Sequence, residues 1–94
     1  MSVLGNLESD QLKGIARRFG IVSVKLFGSR AKGTANSSSD YDFLVRFDRV
    51  ASLVDIIGFK QEIELLLGKS VDVIEEEGIP PTLKDKILSE AIAI

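Results

Sequence analysis

The chain is 94 residues long, 45% hydrophobic and 28% charged, which points to one small domain over residues 1–94 with no length for a separate substrate-binding domain. It has no cysteine and no histidine, so disulfides, thiolate or imidazole metal centres and serine–histidine triads are excluded, and catalysis falls to carboxylates, Lys, Arg, Tyr and hydroxyls. Twelve basic against fourteen acidic residues give a net charge of −2; with one tyrosine and no tryptophan for base stacking, this argues against a general nucleic-acid binder.

In chain order, Met1 to Gly5 carries neither a basic flank nor an apolar signal core, and no apolar run reaches membrane-spanning length, so a cytoplasmic location is expected. Ser9 to Phe19 sets Leu12, Ile15, Ala16 and Phe19 at helical spacing, with Ser9 as N-cap and Gly20 as the stop. Ile21 to Phe27 alternates Val22, Val24 and Leu26 against Ser23, Lys25 and Phe27 and reads as a strand ending at Gly28. Ser29 to Ser39 is polar and loop-like, with one helical turn compatible with Arg30-Ala31-Lys32.

Asp40 to Phe47 is a second strand, with Tyr41, Phe43, Val45 and Phe47 on one face and Asp40, Asp42, Leu44 and Arg46 on the other. Ala51 to Leu67 predicts a helix whose apolar stripe is Leu53, Ile56, Ile57, Ile63, Leu66 and Leu67, interrupted by Gly58 and stopped at Gly68. Val71 to Glu75 is a short third strand. Pro80-Pro81 breaks the chain before a last helix capped by Thr82, with Leu83, Ile87, Leu88, Ala91 and Ile92 as its stripe. The order predicts an α/β (α+β) fold, a small sheet covered by helices.

The residues most suited to chemistry lie between Gly28 and Asp42. Side chains two apart on a strand point the same way, about 6.5 Å apart, so Asp40 and Asp42 converge on space suited to a hard cation. Glycine before serine at a strand end lets a phosphate approach the backbone, where the Ser29 hydroxyl and nearby N–H groups hold it, and Arg30 and Lys32 neutralise further charge. Asp72, flanked by Val71, Val73 and Ile74, supplies a third carboxylate. Each part alone is commonplace, since Gly-Ser is a frequent turn dipeptide and paired aspartates often just end a loop. Together they form the two halves of a nucleoside triphosphate site.

The segment from Gly28-Ser29-Arg30-Ala31-Lys32-Gly33 to Ser39-Asp40-Tyr41-Asp42-Phe43 resembles the GSx(10)DxD signature of the DNA polymerase β-like nucleotidyltransferase superfamily. The short chain and the Val71-Asp72-Val73 strand are most similar to its minimal nucleotidyltransferases, which pair with helical HEPN proteins in prokaryotic toxin–antitoxin modules. The resemblance implies a mixed sheet flanked by helices, two Mg²⁺ ions held by Asp40, Asp42 and Asp72, and a third aspartate beside the attacking hydroxyl. It further implies ATP as substrate, with its β and γ phosphates at Gly28 and Ser29, and as acceptor a tyrosine of a HEPN-type toxin, making the chain an antitoxin. Many relatives have a basic residue where this chain has Asn36, which shifts phosphate neutralisation to Arg30 and Lys32. Larger relatives complete the nucleotide pocket with a helical domain, so here a partner or a second protomer has to supply those contacts. The competing expectation is a catalytically weak binding module that neutralises a helical partner by complex formation.

Other features carry less. Glu75-Glu76-Glu77 reads as a solvated turn rather than a metal cluster, Arg17-Arg18 as surface charge, and Tyr41 as a core residue. The apolar ending Ala91-Ile92-Ala93-Ile94 is expected to pack on the sheet.

Overall fold

A computed structural model describes residues 6–28, 31, 33 and 40–94. The elements are α1 (Asn6–Arg18), β1 (Ile21–Phe27), β2 (Tyr41–Phe47), α2 (Leu53–Leu67), β3 (Val71–Glu75), a 3₁₀ turn (Glu76–Gly78), α3 (Pro81–Glu90) and β4 (Ile92–Ala93). The strands form one mixed sheet in the order β3-β2-β1-β4. β1 is antiparallel to β2 and to β4, whereas β3 runs parallel to β2 across the α2 connection. This is the helix-flanked sheet expected from the element order. Among the described residues no helix is long and apolar enough to cross a membrane.

α1 and α2 lie against each other and cover one face of the sheet. Leu12 and Ala16 of α1, Phe59 and Ile63 of α2, Leu26 of β1, Phe43 and Val45 of β2 and Val71 of β3 are buried there. Phe19 meets Phe59 edge to face, with ring centroids 6.3 Å apart. Tyr41 stacks on Phe43 and packs against this cluster, as its strand parity predicts. The opposite face is covered more thinly. Leu44 is fully buried on it, and the 3₁₀ turn brings Glu76 to within 3.6 Å of Lys25 Nζ. Of the three glutamates expected in a solvated turn, Glu75 instead ends β3, Glu76 and Glu77 form the 3₁₀ turn, and Glu76 is committed to an ion pair.

Several local expectations are corrected. α1 begins at Asn6, so Ser9 is not its N-cap; the first turn, Asn6-Leu7-Glu8-Ser9, has a single apolar residue and so no apolar period to reveal it. β1 has a bulge between Ile21 and Ser23, which turns Val22 outward to 58% exposure while Ile21 is buried. α2 begins at Leu53, behind a reciprocal capping box of Ser52 and Asp55. Its buried face is centred on Phe59 and Ile63, and Leu53 and Ile57 of the expected stripe are exposed. Thr82 lies inside α3, because Pro80 takes the N-cap position and Pro81 the first helical one. α3 stops at Glu90, and Ile92 joins a strand on the edge of β1 instead of extending the helical stripe. Leu83 is exposed as well. The terminal residues do pack: Ile94 contacts the core cluster, and its N–H donates to Val24 O.

Candidate active site

The antiparallel register sets Phe27 opposite Asp42, and the parallel register sets Asp72 beside Asp42. Side-chain alternation then puts Phe27, Asp42 and Asp72 in one row on the face turned away from α1 and α2. Asp40 stands immediately before β2 and is exposed. Asp72 is exposed on an edge strand, and the N–H of Val71 before it donates to Glu64 Oε2 of α2 at 3.1 Å. That bond fixes the start of β3 to the long helix, one residue from Asp72.

Gly28 ends β1 with φ of +77°, and a Cβ at this position would run into Asp42 Oδ2. The glycine is therefore required twice, by its left-handed backbone and by the carboxylate lying against it. The sequence marks it only for phosphate approach; its contact with Asp42 depends on the β1–β2 register, which no sequence signal reports. Beyond Gly28 the chain turns at once, with Ala31 N donating to Gly28 O at 3.1 Å and Ala31 packing on the core. Ser29, Arg30, Lys32 and Asn36 lie outside the described residues.

Burial pushes the Asp42 carboxyl above its ordinary pKa, and the charge of Asp72, a side-chain hydrogen bond with Asp72 and the charge of Asp40 push it further the same way. Three oxygen-donor side chains with mutual repulsion have the donor chemistry of a hard divalent cation site. Among the described residues, however, no group of three or more metal-ligating side chains is gathered into a ready ion cage. An open grip of this kind suits Mg²⁺, which keeps several waters and takes substrate phosphate oxygens alongside one or two carboxylates. Two grooves on the described surface lie elsewhere: one between α1 and the edge of β1, the other around the far ends of β2 and β3. Among the described residues Asp40 and Asp72 are exposed and Asp42 is half-buried.

Residues 9–94 match the nucleotidyltransferase domain family. A candidate protein adenylyltransferase of Methanocaldococcus jannaschii is 41% identical over 80 residues, covering 85% of this chain and 86% of the relative. Protein adenylyltransferase MntA of Thermococcus cleftensis is 32% identical over 82 residues, covering 87% and 83%. A solved structure described as a candidate minimal nucleotidyltransferase superposes with a TM-score of 0.83 at 38% identity, covering 94% of this chain and 90% of that one. For fold alone, a Shewanella oneidensis structure of a tri-AMPylated HEPN toxin with its MNT antitoxin gives a TM-score of 0.69 at 16% identity, covering 93% and 68%. With the strand-end glycine, the aspartate row and these matches together, the chain belongs to the nucleotidyltransferase domain family, in its minimal branch, and is a nucleotidyltransferase.

Proposed function

We propose that the protein transfers AMP from ATP to a hydroxyl of a partner protein, a tyrosine of a HEPN-type toxin, and thereby acts as its antitoxin. The observation that carries this reading is the row of Asp42 and Asp72 beside Gly28. Support comes also from the relatives named as protein adenylyltransferases and from the related fold seen with an AMPylated HEPN toxin.

In this reading Asp40, Asp42 and Asp72 hold two Mg²⁺ ions, which when bound supply charge stabilisation to both the incoming and the leaving oxygens. Gly28 keeps the backbone open to the triphosphate, Ser29 donates to its β and γ phosphates, and Arg30 and Lys32 neutralise them. The acceptor hydroxyl gives its proton to Asp72, its oxygen bonds to the α phosphorus, and the bond to pyrophosphate breaks on the opposite side. Exposure of Asp72 on an edge strand fits an acceptor carried on another protein.

The test is transfer of label from α-labelled ATP, with Mg²⁺, to the HEPN protein encoded beside this chain. Wild type labels the toxin on tyrosine, and the double variant Asp40→Asn with Asp42→Asn does not; label transfer that survives the double change sinks the mechanism. Toxin inhibition that persists in the double variant, with the complex intact and no label, identifies neutralisation by binding instead.

A further inference from the structure

The N–H of Val71 is a donor that β2 cannot serve. Tyr41 pairs with Val71, and Tyr41 N donates to Ser70 O at 3.1 Å; in a parallel ladder the N–H and C=O of the residue so paired point away from the neighbouring strand. Val71 is only 1% exposed, so water is a poor substitute partner, and a buried N–H without an acceptor is costly. The acceptor is Glu64 Oε2, which reaches it from α2 at 3.1 Å. Glu64 stands near the end of α2, where the cap Gly68 N–H donates to Glu64 O and the last turn has no basic residue. A negative charge there faces the negative end of the helix dipole, so local helix energetics work against it. What the carboxylate gains is tertiary, the bond to Val71 seven residues on.

The next residue is Asp72. Its side chain leaves the sheet on the face opposite Val71, beside Asp42. It is exposed, and like charges directly opposite each other push apart. A side chain in that position takes its place from its own backbone, and the backbone is anchored one residue earlier. Without the Glu64 acceptor, the Val71 N–H is either orphaned or satisfied by a shift of the strand start. A misplacement of about 1 Å at a reacting group is enough to slow a reaction by as much as about 10²-fold.

We propose that Glu64 is a positioning residue for nucleotidyl transfer: by accepting the Val71 N–H it sets Asp72 in the row with Asp42, from the other side of the sheet and without touching a substrate. This role rests on the reading of Asp72 as the residue beside the acceptor hydroxyl. It requires an acceptor oxygen at a fixed place and no charge, so the amide oxygen of a glutamine serves as well.

Three variants of the full chain test it. Glu64→Ala removes the acceptor, Glu64→Gln keeps one, and Ile63→Val loosens the buried position next to it without touching the bond. Circular dichroism checks that each stays folded. In chelator, amide hydrogen exchange at Val71 should quicken about tenfold in Glu64→Ala, more than at Phe43 and Val45 in the middle of β2, and should stay near wild type in Glu64→Gln. In transfer of label from α-labelled ATP to the HEPN protein, Glu64→Ala should lower kcat about tenfold while KM for ATP stays within about twofold of wild type. Glu64→Gln should return kcat to within about threefold of wild type, and Ile63→Val should leave it near wild type. Unchanged exchange at Val71 or unchanged kcat in Glu64→Ala overturns the proposal, as does no recovery in Glu64→Gln or an equal loss in Ile63→Val. Asp72→Asn separates the two levels. If it lowers transfer while Glu64→Ala does not, the positioning role alone falls; if wild type transfers nothing, or Asp72→Asn transfers like wild type, the reading of Asp72 falls and the positioning role with it.

Discussion

Gly28 and Asp42 touch across the β1–β2 pair, and each constrains what the other can be. Gly28→Ala forces a side chain into a left-handed backbone and against the Asp42 carboxylate; we expect a loss of about 1–2 kcal/mol in thermal or denaturant unfolding, with nucleotidyl transfer reduced further than the stability loss explains. Asp42→Asn should lower transfer by roughly 10²-fold or more, the scale of losing a main electrostatic contact, yet stabilise the metal-free protein. A carboxyl whose pKa is raised by folding adds stability while protonated and withdraws it as pH climbs through its folded value. Wild type should therefore lose stability relative to Asp42→Asn from about pH 4 upward. Because Asp42 is partly solvated, screening keeps the gap at neutral pH small; melting curves in chelator across this pH range decide its sign. At this scale, residue types and spacing picked out Gly28, Asp40, Asp42 and Asp72 as candidates, and the registers bring Gly28, Asp42 and Asp72 together. The pairing of Asp42 with Asp72 and the contact of Gly28 with Asp42 were not legible from sequence, because both depend on register across long connections.

Two helical glycines separate local propensity from packing. Gly14 in α1 has nothing within 4 Å of where a Cβ would sit, whereas at Gly58 in α2 a Cβ would stand 2.8 Å from Phe19 Cε1. Gly14→Ala should thus gain nearly the full helix propensity, about 1 kcal/mol. Gly58→Ala should lose a similar net amount, as overpacking the Phe19–Phe59 contact outweighs the propensity gain. Chemical denaturation of the two variants side by side checks the opposite signs. Helical period located α2 but misplaced its buried face, because Leu53, Ile56 and Ile57 counted as strongly as Ile63, and the phase is fixed by where Phe59 meets Phe19. β1 and β3 were legible to the residue from their β-branched runs. The bulge at Val22 and the short strand at Ile92 were not, since a bulge is set by the partner strand and β4 forms only where the edge of β1 lies open.

At the level of the whole molecule, the sheet order places β2 between the strand that delivers Gly28 and the strand that delivers Asp72. Three segments far apart in sequence therefore converge on one end of one face, and acidic charge concentrates there although the chain as a whole is only two charges from neutral. On the proposed reading, in which this row holds Mg²⁺, the ion should stabilise the fold and not only the reaction. Carboxylate sites that keep most of the ion's waters bind weakly; with a dissociation constant of about 1 mM, 10 mM Mg²⁺ would add roughly 1.4 kcal/mol, a rise in Tm of about 5–10 °C for a chain of this size. The rise should vanish in Asp42→Asn and shrink in Asp72→Asn, and K⁺ at matched ionic strength should not reproduce it, because general screening acts on every surface charge whereas the grip requires oxygen donors around one ion. An equal rise in wild type and Asp42→Asn would mean that Mg²⁺ acts on the surface at large, and that the aspartate row gathers its cation only together with the nucleotide.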